Sequence, residues 1–207
     1  MYTQLPSGHK GLITAIHPHP GTGTHTKALK GVILTASLDW SVKLWSPDLG
    51  PTLQVKTNIP APTYDYVSDV QWSPTNPGVF VTVTSGGVIT LWNLIQSDVQ
   101  PVDTVRVSQV LEQGGTPSGA GTSEKGSGST TAPSSSLLGG ALNKICWAPD
   151  GRRLFLGDSK GSVRVFGVTE SAVRVRPGDE NKLEEIFRPV SQNGGASSPE
   201  INHTPRA

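Results

Sequence analysis

The sequence is poor in three features that would narrow its function at once: cysteine, charge and long apolar runs. A single cysteine, Cys146, among 207 residues excludes an internal disulfide framework and fits a reducing compartment. The formal net charge of +1 gives no electrostatic reason to expect a nucleic acid or an anionic membrane as partner. No segment approaches the roughly 18 apolar residues of a membrane helix, and no secretory signal opens the chain. We therefore expect a soluble intracellular protein in which Cys146 is a small buried residue of a strand.

Glycine and proline are abundant instead, with 24 and 17 residues, so turns must be frequent. Between the turns lie short runs rich in Val, Ile, Leu, Thr and Trp, the composition of β-strands. Several of these runs are apolar on both faces, which predicts strands covered by another sheet on either side. The predicted strands form three groups of four: 12–17, 32–36, 42–46 and 52–56; 67–72, 79–84, 88–93 and 102–107; 142–148, 153–156, 162–168 and 172–175.

Three stretches repeat one pattern: a short apolar run, a small polar turn, and an alternating run that ends in an aromatic residue. Trp45, Trp92 and Phe166 hold the same place in the three copies. Trp45 and Trp92 are 47 positions apart, and Trp92 and Phe166 are 45 apart once the 29-residue tract 112–140 is set aside. A period of about 40–50 residues with four strands per unit is typical of propeller blades.

This spacing predicts an all-β protein, a β-propeller fragment of about three four-stranded blades with a short C-terminal helix. The tract 112–140 is dominated by Gly, Ser, Thr and Pro, so it cannot bury enough apolar surface to offset its ordering entropy. Leu183, Ile186 and Phe187 have helical spacing, and Pro189 ends the pattern. The predicted divisions are blades at 1–58, 59–111 and 141–178, a disordered insertion at 112–140, a helix at 179–189 and a disordered tail at 190–207.

The first repeat carries four residues that stand in a distinctive order. His9 precedes the first strand, Thr35 lies on the second, Asp39 in the next turn and Trp45 on the third. A buried Trp N–H, a hydroxyl and a carboxylate must be satisfied together, and a complete network fixes strand register. The order resembles the pattern of WD-repeat proteins, which implies that the four side chains form a hydrogen-bonded chain inside the blade. We therefore predict a structural role for them, with Ser37 as the alternative hydroxyl if the register differs by two.

The other two repeats depart from that pattern. Six residues before Trp92 stands Gly86, and six residues before Phe166 stands Lys160, where the first repeat has Asp39. The aromatic ring of Phe166 also lacks an N–H donor. We expect these blades to be held by packing and by turns.

No constellation in the sequence favours catalysis, a cofactor or a metal. Four histidines (His9, His17, His19 and His25) crowd the start of the chain, but no cysteine or carboxylate lies among them and prolines interrupt the strand. Neither a G-x-S-x-G nucleophile turn nor a phosphate-binding glycine loop is present. A hydrolase or a metal enzyme is the weaker alternative to a non-catalytic protein.

Several longer strings go beyond a generic repeat. Residues 37–46 (SLDWSVKLWS), 66–80 (YVSDVQWSPTNPGVF), 90–94 (TLWNL) and 141–167 resemble the C-terminal WD repeats of cytoplasmic dynein intermediate chains. The Gly/Ser/Thr-rich insertion is not part of that pattern. The resemblance implies a WD-repeat propeller that acts as a non-catalytic scaffold and docks on the dynein heavy chain for microtubule-based transport.

The resemblance also implies partners outside this sequence. Dynein light chains and dynactin would bind a disordered N-terminal region of the family, for which this sequence contains no candidate motif. Three blades are too few to close a ring, so we expect the final blades of a longer protein. A WD-repeat adaptor of another multiprotein assembly is the alternative within the same fold.

Overall fold

Eleven short strands form three antiparallel sheets in the part of the chain that the structure describes. In this computed structural model the described residues are 8–21, 29, 31–46, 54–61, 65–97, 99–108 and 140–187. The first sheet contains β1 (Ile13–Pro18), β2 (Ile33–Ser37), β3 (Ser41–Ser46) and β4 (Gln54–Pro60). The second contains β5 (Val67–Trp72), β6 (Val79–Thr84), β7 (Val88–Asn93) and β8 (Asp103–Arg106). The third contains β9 (Leu142–Trp147), β10 (Arg153–Asp158) and β11 (Val163–Gly167).

Strands that follow one another in the chain are neighbours in every sheet, as in a propeller blade. The predicted all-β class, with blade-like antiparallel sheets and a short C-terminal helix, is confirmed. The third sheet has three strands rather than four within the described residues. The division of the chain into blades at 1–58, 59–111 and 141–178 stays a prediction.

The second sheet is buried on both faces because the other two sheets pack against it. On β6, Phe80 belongs to one hydrophobic cluster, whereas Val79, Val81 and Val83 belong to the other. The first cluster is completed by residues of the first sheet such as Leu34, Leu44 and Val42. The second cluster is completed by residues of the third sheet such as Leu154, Leu156 and Ile145. Adjacent residues of one strand thus point into different cores, which explains the continuous apolar run in the sequence.

Four rings form a connected row through the first cluster. His19 meets Trp72 edge to face with ring centroids 4.8 Å apart, and Trp72 meets Phe80 in the same way at 5.5 Å. Phe80 then stacks on Trp92 with centroids 6.0 Å apart and planes 7° from parallel. Offset and edge-to-face contacts of this kind add to the free energy gained by burying the rings.

Two short helices follow the third sheet, α1 (Glu170–Val173) and α2 (Asp179–Phe187). The predicted strand at 172–175 is therefore wrong. A single helical turn forms there, closed by the bond from Arg174 N to Glu170 O, because it buries Val173 in the second cluster. The predicted helix at 179–189 is α2, which packs Leu183 and Phe187 into the first cluster. Neither of the described helices has the length and apolar character needed to cross a bilayer.

Three further predictions fall on particular residues. The predicted burial of Cys146 is wrong, because alternation along β9 turns Ile145 and Trp147 inward and leaves Cys146, between them, exposed. The predicted insertion at 112–140 lies outside the described residues except for Gly140, which is buried. The predicted tail at 190–207 lies outside them altogether.

Candidate interaction surface

The structure brings the four predicted residues of the first sheet into one hydrogen-bonded chain. The indole Nε1 of Trp45 donates to Thr35 Oγ1 at 2.8 Å. Thr35 Oγ1 lies 2.7 Å from His9 Nε2, and His9 Nδ1 lies 3.0 Å from Asp39 Oδ2. Every group is satisfied if the Thr35 hydroxyl donates to His9 and His9 Nδ1–H donates to the carboxylate. The alternative hydroxyl, Ser37, instead accepts a bond from Asp39 N at 3.1 Å.

Asp39 ties the segment before β1 to the β2–β3 turn. Its carboxylate accepts the Ser41 hydroxyl at 2.7 Å, the Lys10 backbone N–H at 2.8 Å and His9. Partial burial raises the pKa of Asp39, but these hydrogen bonds outweigh it and lower the pKa to about 2. The group is therefore ionised at neutral pH and acts as an acceptor inside the network.

The second sheet keeps only part of this arrangement. Trp92 Nε1 donates to Thr82 Oγ1 at 3.4 Å, with the same ten-residue separation as Trp45 and Thr35. In place of the turn carboxylate stands Gly86, and the Asp65 carboxylate packs so closely against Gly86 that a Cβ atom there would require the Asp65 side chain to move. The sequence alone did not reveal this contact.

In the third sheet a different acidic residue stabilises the turn, and the comparison of the three repeats within the sequence did not identify it. Asp158, the last residue of β10, accepts the backbone N–H groups of Lys160 and Ser162, both at 2.9 Å, and the guanidinium of Arg164. The Ser162 N–H is the largest cause of the lowered pKa of Asp158. Because this acid lies two residues before Lys160, an alignment of the turns overlooks it. An Asp two residues before a Lys-Gly pair is an Asx-turn signal that could have revealed it.

The inner strands β1, β5 and β9 are joined by side chains that reach across to the next backbone. The hydroxyls of Thr14 and Ser68 donate to the carbonyls of the first residues of the next inner strands, Val67 and Leu142. Three side-chain acceptors receive N–H groups of the next inner strand: His17 accepts Trp72 N at 3.2 Å, Asp69 accepts Ile145 N at 3.1 Å and Gln71 accepts Trp147 N at 3.2 Å. The ammonium of Lys144 also lies 3.6 Å from the Asp69 carboxylate. These bonds fix how one sheet sits on the next.

Two histidines of the first sheet make such contacts in the neutral form. His17 Nδ1 is an acceptor, and His19 uses Nδ1 as acceptor for Gly21 N and donates from Nε2 to Pro77 O at 3.0 Å. Burial lowers the pKa of His17 below its ordinary 6.5, opposed in part by Asp69. Burial also lowers the pKa of His19, opposed by its bond to Pro77 and reinforced by His17.

Stability should therefore fall in mildly acidic solution. The folded state binds fewer protons than the unfolded state, so the stabilisation is complete above the unfolded pKa of 6.5 and is lost as pH falls below it. We expect the urea midpoint, followed by far-UV circular dichroism, to drop between about pH 7.5 and pH 5.5. A double variant, H17Q/H19Q, should lose most of that dependence. An unchanged pH slope in the double variant would show that other groups cause it.

Apolar side chains are exposed at one end of the first two sheets. Because β1 bonds to β5 at Thr14 and again at His17, the two strands run in the same direction and start at the same end. Leu12, Leu38 and Trp40 are 75%, 38% and 53% exposed there, and Tyr66 before β5 is 38% exposed. We call Leu12, Leu38, Trp40 and Tyr66 the Trp40 surface.

The backbone at Trp40 is unusual. Its φ of +64° lies in the left-handed region, and the equivalent turns of the other sheets place Gly87 and Gly161 there, with φ of +77° and +78°. A residue with a Cβ atom pays about 1–2 kcal/mol for this conformation. Strained residues of this kind concentrate at functional sites, where a local cost is tolerated for a contact elsewhere.

Comparison with known proteins identifies the type of repeat that forms the first sheet. The family model of the WD domain, G-beta repeat, matches residues 2–46, the range that holds His9, Thr35, Asp39 and Trp45. The chain is 31% identical over 181 residues, 85% of its length, to the cytoplasmic dynein 1 intermediate chain of Drosophila melanogaster. The chain is a WD-repeat protein, homologous to cytoplasmic dynein intermediate chains.

A second relative comes from a motile organelle. The WD-repeat protein is 30% identical over 117 residues, 53% of its length, to the 70 kDa dynein intermediate chain of the flagellar outer arm of Chlamydomonas reinhardtii. It spans about a fifth of the length of either relative, 22% and 19%. The WD-repeat family of dynein intermediate chains is non-catalytic. Among the described residues, no three His, Cys, Asp or Glu side chains converge as metal ligands.

Proposed function

We propose that this WD-repeat protein is a scaffold subunit of a cytoplasmic dynein motor complex and docks on the dynein heavy chain. The homology to dynein intermediate chains over 85% of the chain is the observation that carries the proposal. The proposal implies a protein of the cytoplasm that is associated with microtubules and takes part in microtubule-based movement. Contacts to dynein light chains and dynactin would belong to other regions of such a subunit.

The Trp40 surface is the docking site that we propose for the heavy chain. Exposed aromatic and aliphatic side chains gather there at one end of two packed sheets. Tryptophan and tyrosine are enriched among the residues that dominate binding energy at protein interfaces. A tryptophan held in the left-handed region at a cost to the fold is consistent with selection for contact rather than for stability.

Affinity purification tests this proposal. The tagged full chain should recover dynein heavy chain from cell extract, as measured by quantitative mass spectrometry. The variant Trp40→Gly, which suits the local backbone, should reduce that recovery by about tenfold without loss of stability. The matched control Val99→Ser removes another exposed apolar side chain, 76% exposed, outside the Trp40 surface and should leave recovery unchanged.

Two results would contradict the proposal in different ways. Recovery of a different multiprotein assembly without heavy chain would favour the adaptor alternative. Equal recovery of heavy chain by the wild-type chain and by Trp40→Gly would retain the dynein assignment but reject the Trp40 surface as its docking site.

A further inference from the structure

A polar cleft lies between the second sheet and the two C-terminal helices. It has a volume of about 400 Å³. Its walls include Asn93 and Gln96 at the end of β7, and Arg174, Arg176 and Lys182 from the helical region. One carboxylate, Asp179, also lines the cleft, so the charged lining has a formal net charge of +2.

The backbone at each of the three cationic residues around the cleft belongs to a different local structure. Arg174 closes α1 with the bond from its N–H to Glu170 O. Arg176 opens a turn, closed by Asp179 N to Arg176 O at 3.1 Å, in which Pro177 and Gly178, with φ of +89°, occupy the central positions. Lys182 stands in the first turn of α2.

The wall formed by α2 is itself anchored. Its residues Leu183 and Phe187 are 2% and 1% exposed in the first cluster. The positions from which the three cations project are therefore set by the fold rather than by a flexible segment, which lowers the entropy lost when they bind a ligand.

The cationic side chains of the cleft form no ion pair with a carboxylate of the described residues. The Asp179 carboxylate accepts the backbone N–H of Arg176 at 2.8 Å. No described carboxylate forms an ion pair with Arg174, Arg176 or Lys182. Asn93 is 6% exposed and uses Oδ1 to accept Ile95 N at 3.0 Å, while no described acceptor takes its side-chain N–H donors.

We propose that this cleft binds an acidic segment of a partner protein, with carboxylates received by Arg174, Arg176 and Lys182. Arginine guanidinium groups and carboxylates form strong, charge-assisted and often bidentate hydrogen bonds. The start of α2 adds the positive end of a helix dipole to the same place. A cavity of about 400 Å³ falls within the size range of sites that hold ligands much larger than one small anion.

The sequence outside the described residues contains no acidic run. Five acidic residues lie outside the described part, and they are scattered singly: Asp48, Asp98, Glu112, Glu124 and Glu200. The acidic residues of α2 beyond its first turn, Glu184 and Glu185, do not line the cleft. We therefore take the occupant to be a segment of a partner protein, and this inference does not depend on heavy-chain docking at the Trp40 surface.

Binding of a fluorescein-labelled oligoglutamate peptide to the purified full chain, measured by fluorescence anisotropy, tests the inference. We expect saturable binding that weakens as salt is raised. The variant R174E/R176E should weaken it by roughly tenfold or more, since two attractive contacts become repulsive. The neutral variant R174Q/R176Q should bind the peptide with an affinity between those of the wild-type chain and R174E/R176E. It replaces the charge-reversal variant if circular dichroism shows that R174E/R176E does not fold.

A matched control separates the cleft from general electrostatics. R152E reverses an exposed arginine at the β9–β10 turn that does not line the cleft, and it should leave peptide affinity nearly unchanged. The inference is overturned if R152E weakens binding as much as R174E/R176E, or if the cleft variants bind like the wild-type chain. It is also overturned if inorganic phosphate binds more tightly than the peptide, because the cleft would then be a small-anion site.

Discussion

We expect the Trp45→Ala variant to lose about 3–5 kcal/mol of unfolding free energy. Trp45 is 3% exposed, and its removal leaves a large void beside β3. It also removes the N–H that donates to Thr35 Oγ1, so the buried Thr35–His9–Asp39 chain loses its terminal donor. Urea unfolding followed by far-UV circular dichroism measures the loss without relying on tryptophan emission.

The same sheet offers its own control. Trp40 is 53% exposed, and Trp40→Ala removes an identical side chain from a solvent-facing position five residues away. It should change the unfolding free energy by well under about 1 kcal/mol. Equal losses in the two variants, or no loss in Trp45→Ala, would show that the first sheet is not held by this network.

The second large effect is expected at the centre of the row of rings. Phe80→Ala should also lose about 3–5 kcal/mol, since Phe80 is fully buried between the rings of Trp72 and Trp92. The substitution removes both ring contacts of Phe80, and the closely packed side chains of the first and second sheets cannot move to fill the cavity that it leaves. The measurement is again the urea midpoint and slope.

Phe155→Ala is the matched control for that prediction. Phe155 lies half-buried on β10 and belongs to neither hydrophobic cluster. Its loss should cost clearly less than the loss of Phe80. If the two phenylalanine variants unfold at the same urea concentration, the second sheet is not the doubly covered layer described above.

Patterns within single repeats and strands of the sequence predicted some features of the structure and missed others. The network of His9, Thr35, Asp39 and Trp45 was predictable because all four residues stand in one repeat, in the order typical of WD repeats. Cys146 was predicted wrongly because an apolar run does not tell which residues of a strand face outward. The strand at 172–175 was wrong because a helical turn ends at Val173 and buries this residue in the second cluster.

Other features depend on residues far apart in the chain. Asp69 and Gln71 each bond to a backbone N–H 76 residues later, and no local pattern identifies such partners. The cleft arises only when Asn93 of the second sheet meets Arg174, Arg176 and Lys182. Asp158 was overlooked because it performs a turn-stabilising role from a strand position rather than from the turn itself.

Direct binding of the purified full chain to purified dynein heavy chain tests the central proposal most closely. In sucrose-gradient sedimentation the mixture should show the chain moving with the heavy chain, and Trp40→Gly should leave most of it near the top. Val99→Ser should move like the wild-type chain. A wild-type chain that stays at the position of the free protein, at concentrations where its fold is intact, would contradict its assignment as a heavy-chain scaffold.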